Sequence, residues 1–493
     1  METLYAYLQA QVEQQPDAVA VIDDRRTVTF RELDALATCI AATFPTHPRC
    51  VGVAMNHSVE MIAALFAILK TGAAYVPVEP SFPAERIRFI MDECRVDFIL
   101  TEHEYAGKLG AEHTLHFIER GLEADADADA AVTVPTTARP DDTAYILYTS
   151  GSTGAPKGVR VANRNVCHYV RAFRNEFHPA AGDVMLQYSV CTFDIFVEEV
   201  FASLLSGAAL AIPPAGVKDD IHRLMHFVEQ HRVTIISGFP YLLLEMNKLA
   251  RIPASLRLLI SGGDVLRAGY VDRLLPQAEV YNTYGPSETT VCATYFRCNG
   301  SQPLPDGTYP IGRAVKGVQI EIHDEQMHPV PVGRPGEICI LGDGVSQGYV
   351  NRPGEHSFVT LDDGRRMYRS GDLGIMQSDG TLLFLYRKDT QVMILGRRVE
   401  PLEVQNILCE DPEVEKGVVC ANVDEQQLAY LTAYVVPKDR KRFHLSSLRS
   451  MMAKFLPSYM IPEFFVCMDT MPVTTNGKVN RAALPVVLKT GDL

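Results

Sequence analysis

Short apolar runs alternate with amphipathic stretches between residues 50 and 110. VGVAM, AAYVPV and VDFIL have the length and β-branched content of buried strands, and SVEMIAALFAILKTG carries apolar positions at helical spacing. The rhythm returns over residues 184–262, where VMLQYSV, ALAIP, VTIISG and LRLLISGG read as strands and VEEVFASLL and RLMHFVEQH as helices. That pattern predicts layered α/β subdomains. From about residue 310 the pattern changes to short β-like runs (VQIEIHD, GEICILG, TLLFLYR) broken by Gly, Pro and Asp, which predicts a β-rich subdomain. After Asp389 come QVMILG, EPLEVQNILCE, VEKGVVCANV, LTAYVVP and LSSLRSMMAKFLP, the mixed pattern of a small α+β unit. The expected division is a large N-terminal domain, 1–388, and a small C-terminal domain, 389–493. EADADADAA at 123–131 alternates like charges with small residues and reads as a solvated surface loop.

Composition narrows the class. The 493 residues are 47% hydrophobic and 22% charged, enough for several packed cores. No apolar run approaches the roughly 20 residues that span a bilayer, and METLYAYLQAQVEQQ lacks the basic start of a secretory signal. Eleven cysteines without a CxxC pair predict reduced thiols and a cytoplasmic setting rather than disulfides or a zinc cage. A net charge of −14 argues against nucleic acid as a partner. A membrane partner is not expected either.

Residues 148–159, YTSGSTGAPKGV, follow the apolar run AYILY. Gly151 and Gly154 let the backbone turn tightly so that its N–H groups converge on an anion. Thr149, Ser150, Ser152 and Thr153 add neutral donors, and Lys157 adds a cation. Gly158 follows that lysine, so the loop is not the GxxxxGK[ST] type. The segment resembles the signature loop of the adenylate-forming superfamily, which includes amino-acid adenylation domains of the nonribosomal peptide synthetase type, acyl-CoA synthetases and luciferases.

The resemblance extends along nearly the whole chain, in family order. It is carried by VTFRELDALA (28–37), LKTGAAYVPVEPSFPAERI (69–87), CTFDIFVEEVF (191–201), NTYGPSETT (282–290), GEICILGDGVSQGY (336–349), YRSGDLG (368–374), YRKDTQVMILGRRVE (386–400), LTAYV (431–435), LPSYMIPEFFV and NGKVNR. It implies ATP as co-substrate, Mg²⁺ as cofactor, and a small mobile C-terminal domain. It further implies that Glu288 holds the metal, that Tyr284 stacks on adenine with Asn282 reading its edge, and that Asp372 binds the ribose hydroxyls. Arg387 is implied near ribose and phosphate, Lys478 as the catalytic cation and Asp389 as the hinge. The chain departs from the family at Glu79, where Asp is usual. It also departs at Tyr386, Met393, Leu395 and Pro401-Leu402, positions tied to thioester formation.

The resemblance also implies a substrate pocket of Asp194, Ile195, Glu198, Ser237, Ile260, Gly262, Thr283, Val291, Cys292 and Lys478. Asp194 matches the acid that pairs with a substrate α-ammonium. A second carboxylate, Glu198, in a mostly apolar slot is costly unless a cation meets it. With Gly262 leaving depth, the set suggests a basic amino acid, lysine or ornithine; a Glu198 facing outward or paired internally is the alternative. The expected reaction is ATP-dependent formation of aminoacyl-AMP, then transfer to the phosphopantetheine thiol of a separate acyl or peptidyl carrier protein. The start METLYAYLQA and the short tail after Arg481 suggest a free-standing protein. Rival readings are a ligase for D-alanine or another small amino acid, an acyl-CoA ligase, and a catalytically silent nucleotide-binding relative.

Other candidates are weaker. His222 and His226 stand four apart on a predicted helix, but without a third ligand a partly buried pair with no metal role is expected. Cys191 and Cys292 flank the pocket without a Cys–His constellation, so the accepting thiol is expected from a partner.

Overall fold

The computed structural model describes residues 2–45, 47–110, 112–123, 134–151, 154–352, 356–394, 396–474 and 479–489. The chain divides into two compact units. One holds residues 1–80, 91–147 and 158–386; the other holds 81–90, 148–157 and 387–493. The expected division at 388–390 therefore differs at two interior segments, which pack with the C-terminal residues although they precede them by more than 200 positions. Alternating polarity along the chain does not report such long-range grouping.

The first unit contains three sheets. Its nine-stranded sheet runs, edge to edge, Arg313–Ala314, Thr294–Arg297, Glu279–Tyr284, Leu258–Ser261, Ile235–Gly238, Val184–Leu186, Ala209–Ala211, Val19–Ile22 and Thr27–Thr29. From Glu279–Tyr284 to Val19–Ile22 all neighbours are parallel, which explains why these strands read as continuous apolar runs: both faces are covered. A seven-stranded sheet is built around Cys50–Ala54, Ala74–Pro77 and Thr143–Thr149. The predicted helix of residues 58–72 is Val59–Lys70, capped by the Ser58 hydroxyl on the Met61 N–H and buried along its whole length. An antiparallel sheet of Val318–His323, Pro335–Gly342, Arg366–Met376, Phe358–Thr360 and Leu382–Arg387 is the expected β-rich part.

The second unit has its own core, in which Val404 and Leu408 of the helix Pro401–Cys409 pack with Val419, Leu431, Ala433 and Leu448. Its three-stranded sheet joins Val414–Val423, Ala429–Pro437 and Phe464–Cys467. No helix among the described residues is long and apolar enough to cross a membrane. The acidic run 124–131, Ser152, Thr153, Leu395 and Lys478 lie outside the described residues.

Candidate active site

In the first unit, three adjacent parallel strands end at the residues expected to line the substrate pocket. Ile235–Gly238 ends beside Ser237, Leu258–Ser261 runs through Ile260 into Gly262, and Glu279–Tyr284 carries Thr283. Carboxyl ends of parallel strands are where open α/β sheets bind ligands, because side chains there converge without a covering helix.

The helix expected over VEEVFASLL begins as a short α-helix, Asp194–Val197, and then widens into a π-helical turn, Glu198–Ala202. Single π-turns recur at functional sites because they reset which side chains share a face. Here two adjacent buried glutamates serve different groups. The Tyr169 hydroxyl donates to Glu198 Oε2, while Glu198 Oε1 is buried without a hydrogen-bond partner among the described residues. The Ser237 hydroxyl also faces this carboxylate, and Asp194 lies close enough to repel it. Burial, helped by Asp194, pushes the Glu198 carboxyl up to about 7. The structure thus brings Asp194, Glu198, Ser237, Thr283 and Cys292 together. Cys191 and Cys292 are free and buried, and burial pushes both thiols well above the ordinary range.

Glu199 turns to the chain segment leading into Asp194. Its carboxylate accepts the Tyr188 N–H (3.1 Å), the Ser189 N–H (2.9 Å) and the Gln187 side chain (3.1 Å). Glu79 accepts the Cys191 N–H at 2.7 Å and meets His57 Nε2 at 3.2 Å. Burial would raise Glu79, but His57 and the Cys191 donors hold it at about 2. The two carboxylates together fix residues 188–191. Tyr169, Glu199 and Glu79 are participants that sequence reasoning did not assign to the site; two consecutive glutamates on one predicted helix were the available signal.

One reading changes. Gly262 was expected to leave depth, yet a β-carbon there would stand 2.6 Å from the Thr283 hydroxyl, so that direction is already filled. Asn282 was expected to read the adenine edge. Its side-chain N–H donates to the Pro310 carbonyl at 2.9 Å, while its Oδ1 is buried without a hydrogen-bond partner among the described residues, so the acceptor half of the amide stays available.

Tyr284 donates its hydroxyl to Asp372 Oδ2 at 2.7 Å, which joins the expected adenine and ribose residues directly. Gly285 packs against the far side of the pocket: a β-carbon would lie 2.3 Å from the Val291 carbonyl oxygen and 2.6 Å from Cys292 Cα. The same stretch forces Thr290 and Val291 into positive φ, 64° and 69°. β-Branched residues rarely adopt that region, and the strain is on the order of 1–3 kcal/mol each. Thr290 is held there by its hydroxyl on the Gly344 carbonyl at 2.7 Å. Glu288 is fully buried, and Tyr349 donates to its Oε1 at 2.7 Å. A single oriented carboxylate oxygen is a hard donor of the kind magnesium takes alongside phosphate oxygens.

In the second unit, the Ser150 hydroxyl donates to the Arg398 carbonyl at 2.5 Å, and the Gly154 N–H to the Gly151 carbonyl at 2.8 Å. A β-carbon on Gly151 would stand 2.0 Å from the Ala155 carbonyl oxygen, so the turn requires glycine. Thr149 Oγ1 is buried without a hydrogen-bond partner among the described residues. Lys157 is buried and sits in the field of Glu400, whose carboxyl burial and the nearby Asp389 push up to about 7. Arg387 grips Asp389 through Nε and Nη2, both at 2.8 Å. Although burial opposes it, that fork holds the Asp389 carboxyl below its ordinary value.

The helix Ile221–Gln230 carries His222 and His226 exposed, not partly buried as expected, along a surface hollow they share with Pro214, Val217 and Phe227.

A model of the AMP-binding enzyme family matches residues 8–350, and one of the AMP-binding enzyme C-terminal domain matches 403–478. The chain belongs to the AMP-binding enzyme family. It is 35% identical over 497 residues to bacitracin synthase 2 of Bacillus licheniformis, covering 98% of this chain and 18% of that protein. It is 36% identical to gramicidin S synthase 2 of Aneurinibacillus migulanus, covering 98% of this chain and 11% of the relative. The chain therefore spans less than a fifth of the length of these relatives. Among solved structures, an NRPS protein containing adenylation and PCP domains superposes with a TM-score of 0.84 at 26% identity, over 98% of this chain and 83% of that one. A Vibrio cholerae adenylation domain, in complex with glycyl-adenosine-5'-phosphate, gives 0.84 over 97% and 96%; at 24% identity it bears on the fold of the AMP-binding enzyme alone.

Proposed function

We propose that this enzyme activates a basic amino acid, lysine or ornithine in type, as its aminoacyl adenylate and then passes the acyl group to the phosphopantetheine thiol of a carrier protein. The observation that carries the substrate assignment is the buried, unpartnered Glu198 Oε1 beside Ser237 and within the field of Asp194. A buried carboxylate oxygen without a donor is costly, and a cationic side chain offsets that cost. Asp194 would take the α-ammonium and Glu198 the distal one.

In the first step the amino-acid carboxylate oxygen bonds to the α-phosphorus of ATP. The bond from that phosphorus to the bridging oxygen breaks, and pyrophosphate leaves. Both reactants are anions, so positioning and charge neutralisation carry the rate. Lys478 is the proposed cation at the reacting oxygens, where attraction is strongest as the charges draw together. Arg387 and Lys157 are the further proposed cations, Ser150, Ser152, Thr153 and Thr149 with Gly151 and Gly154 the neutral donors to phosphate. Tyr284 and Asp372 are the proposed adenosine contacts. Glu288 would hold magnesium, which supplies charge neutralisation at the phosphates. In the second step the carrier thiolate displaces AMP from the acyl carbon. Asp389 is the proposed pivot between the steps. The solved relative that contains adenylation and PCP domains supports a carrier as acceptor.

The test is amino-acid-dependent ATP–pyrophosphate exchange with lysine, ornithine, arginine, D-alanine and neutral amino acids, with Lys478→Ala alongside. Strong exchange with lysine or ornithine that falls about 10²–10³-fold in Lys478→Ala supports the reading. Exchange only with a small neutral amino acid overturns the substrate, and none with any acid overturns the activity.

A further inference from the structure

We propose that Tyr169 is a specificity-determining residue that makes the pocket select a primary ammonium over a guanidinium. The inference rests on the basic-amino-acid reading above and deepens it.

Tyr169 lies on the helix Asn163–Phe177, outside the chain segments expected to line the pocket. Its ring is buried at 1% exposure, and its hydroxyl donates to Glu198 Oε2. That bond occupies one oxygen of the carboxylate and leaves Oε1 as the unpartnered one. A guanidinium binds a carboxylate best through two parallel N–H···O bonds, one to each oxygen. With Oε2 taken, that fork cannot close. An ammonium donates from three directions to separate point acceptors. Oε1 and the Ser237 hydroxyl that faces the same carboxylate offer such points.

The surroundings keep Tyr169 in place. Tyr295 and Cys292 lie against its phenol. The groups facing Glu198 are thus Tyr169, Ser237, Asp194, Cys292 and Tyr295. None of these is cationic among the described residues, so a cation facing Glu198 would be the ligand's. Tyr169 also acts on the charge of Glu198: its hydrogen bond favours the ionised carboxylate, against burial and Asp194, which disfavour it.

The experiment compares kcat/KM for lysine and for arginine in ATP–pyrophosphate exchange, in wild type and Tyr169→Phe, with melting temperature as the folding control. Wild type is expected to favour lysine by roughly a hundredfold. Tyr169→Phe, which frees Oε2 at nearly constant volume, is expected to lower that ratio at least about tenfold, the size of one lost charge-assisted bond. The pH at which the lysine KM rises is expected to move upward in the variant, a shift that a merely space-filling phenol would not produce. An unchanged ratio and pH profile in a folded variant overturns the inference while leaving the lysine assignment standing. Should the variant not fold, wild type decides: arginine used within tenfold of lysine overturns the proposal, and exclusion of arginine supports it. Absence of exchange with every basic amino acid brings down the underlying reading instead.

Discussion

The Tyr284 hydroxyl and Asp372 Oδ2 are 2.7 Å apart, so the proposed ribose acceptor is already bonded to the proposed adenine platform. A nucleotide hydroxyl reaching Asp372 must share or displace that phenol. Tyr284→Phe keeps the ring and is expected to leave the KM for ATP within about threefold. Asp372→Ala removes a charged acceptor and is expected to raise it about tenfold or more. Tyr284→Ala loses the stack, worth about 1–3 kcal/mol for a base on an aromatic ring, and should raise it by a similar factor. Steady-state exchange kinetics at varied ATP separates the three.

Glu198 ties substrate binding to pH. Its carboxyl stands at about 7 in the folded protein, above the ordinary 4.5. Below pH 7 it holds a proton, and a cationic side chain must displace that proton to bind. The lysine KM is therefore expected to rise as pH falls from 8 to 6, with little change for kcat.

The same group sets a stability trend with the opposite sense. The folded state binds the proton more tightly than the unfolded chain does, so stability contributed at low pH is lost as pH rises from 4.5 through 7. Glu198→Gln removes this loss. It is expected to be more stable than wild type at pH 8 by on the order of 2 kcal/mol and near equal at pH 5, read by denaturant unfolding without substrate.

Arg86 and Glu403 form a buried ion pair at 2.9 Å within the second unit. Removing one partner leaves the other charged and dry. Arg86→Leu is expected to cost about 3–5 kcal/mol, and the double change Arg86→Leu with Glu403→Leu is expected to recover most of it. A chemical-denaturation double-mutant cycle gives the coupling directly.

Gly285→Ala would push a β-carbon to 2.3 Å from the Val291 carbonyl, a backbone atom that cannot rotate away. The expected outcome is a lower melting temperature together with weakened use of every amino acid, since the displaced chain is the one that carries Val291 and Cys292.

Much of this molecule was legible in the chain. The strand runs and the helix Val59–Lys70 follow from apolar spacing, because their burial is nearly complete and local pattern then dictates structure. The glycines of the loop 148–159 could be read because Gly151 stands against the Ala155 carbonyl and Gly154 has positive φ, conditions only glycine meets easily. Tyr169 was not legible. Its helix is amphipathic in the ordinary way, with Val166, Val170 and Phe173 also buried, and nothing in that pattern marks one tyrosine as facing a carboxylate. The π-turn at Glu198 was hidden for a similar reason: one residue of extra winding leaves no trace in composition.

Thr290 and Val291 hold left-handed backbone at the edge of the pocket although neither side chain suits it. Glycine at either position would relax the chain, so random drift has an easy downhill route that ordinary folding selection would welcome. The two positions are therefore a natural first library for anyone seeking to broaden what the enzyme accepts.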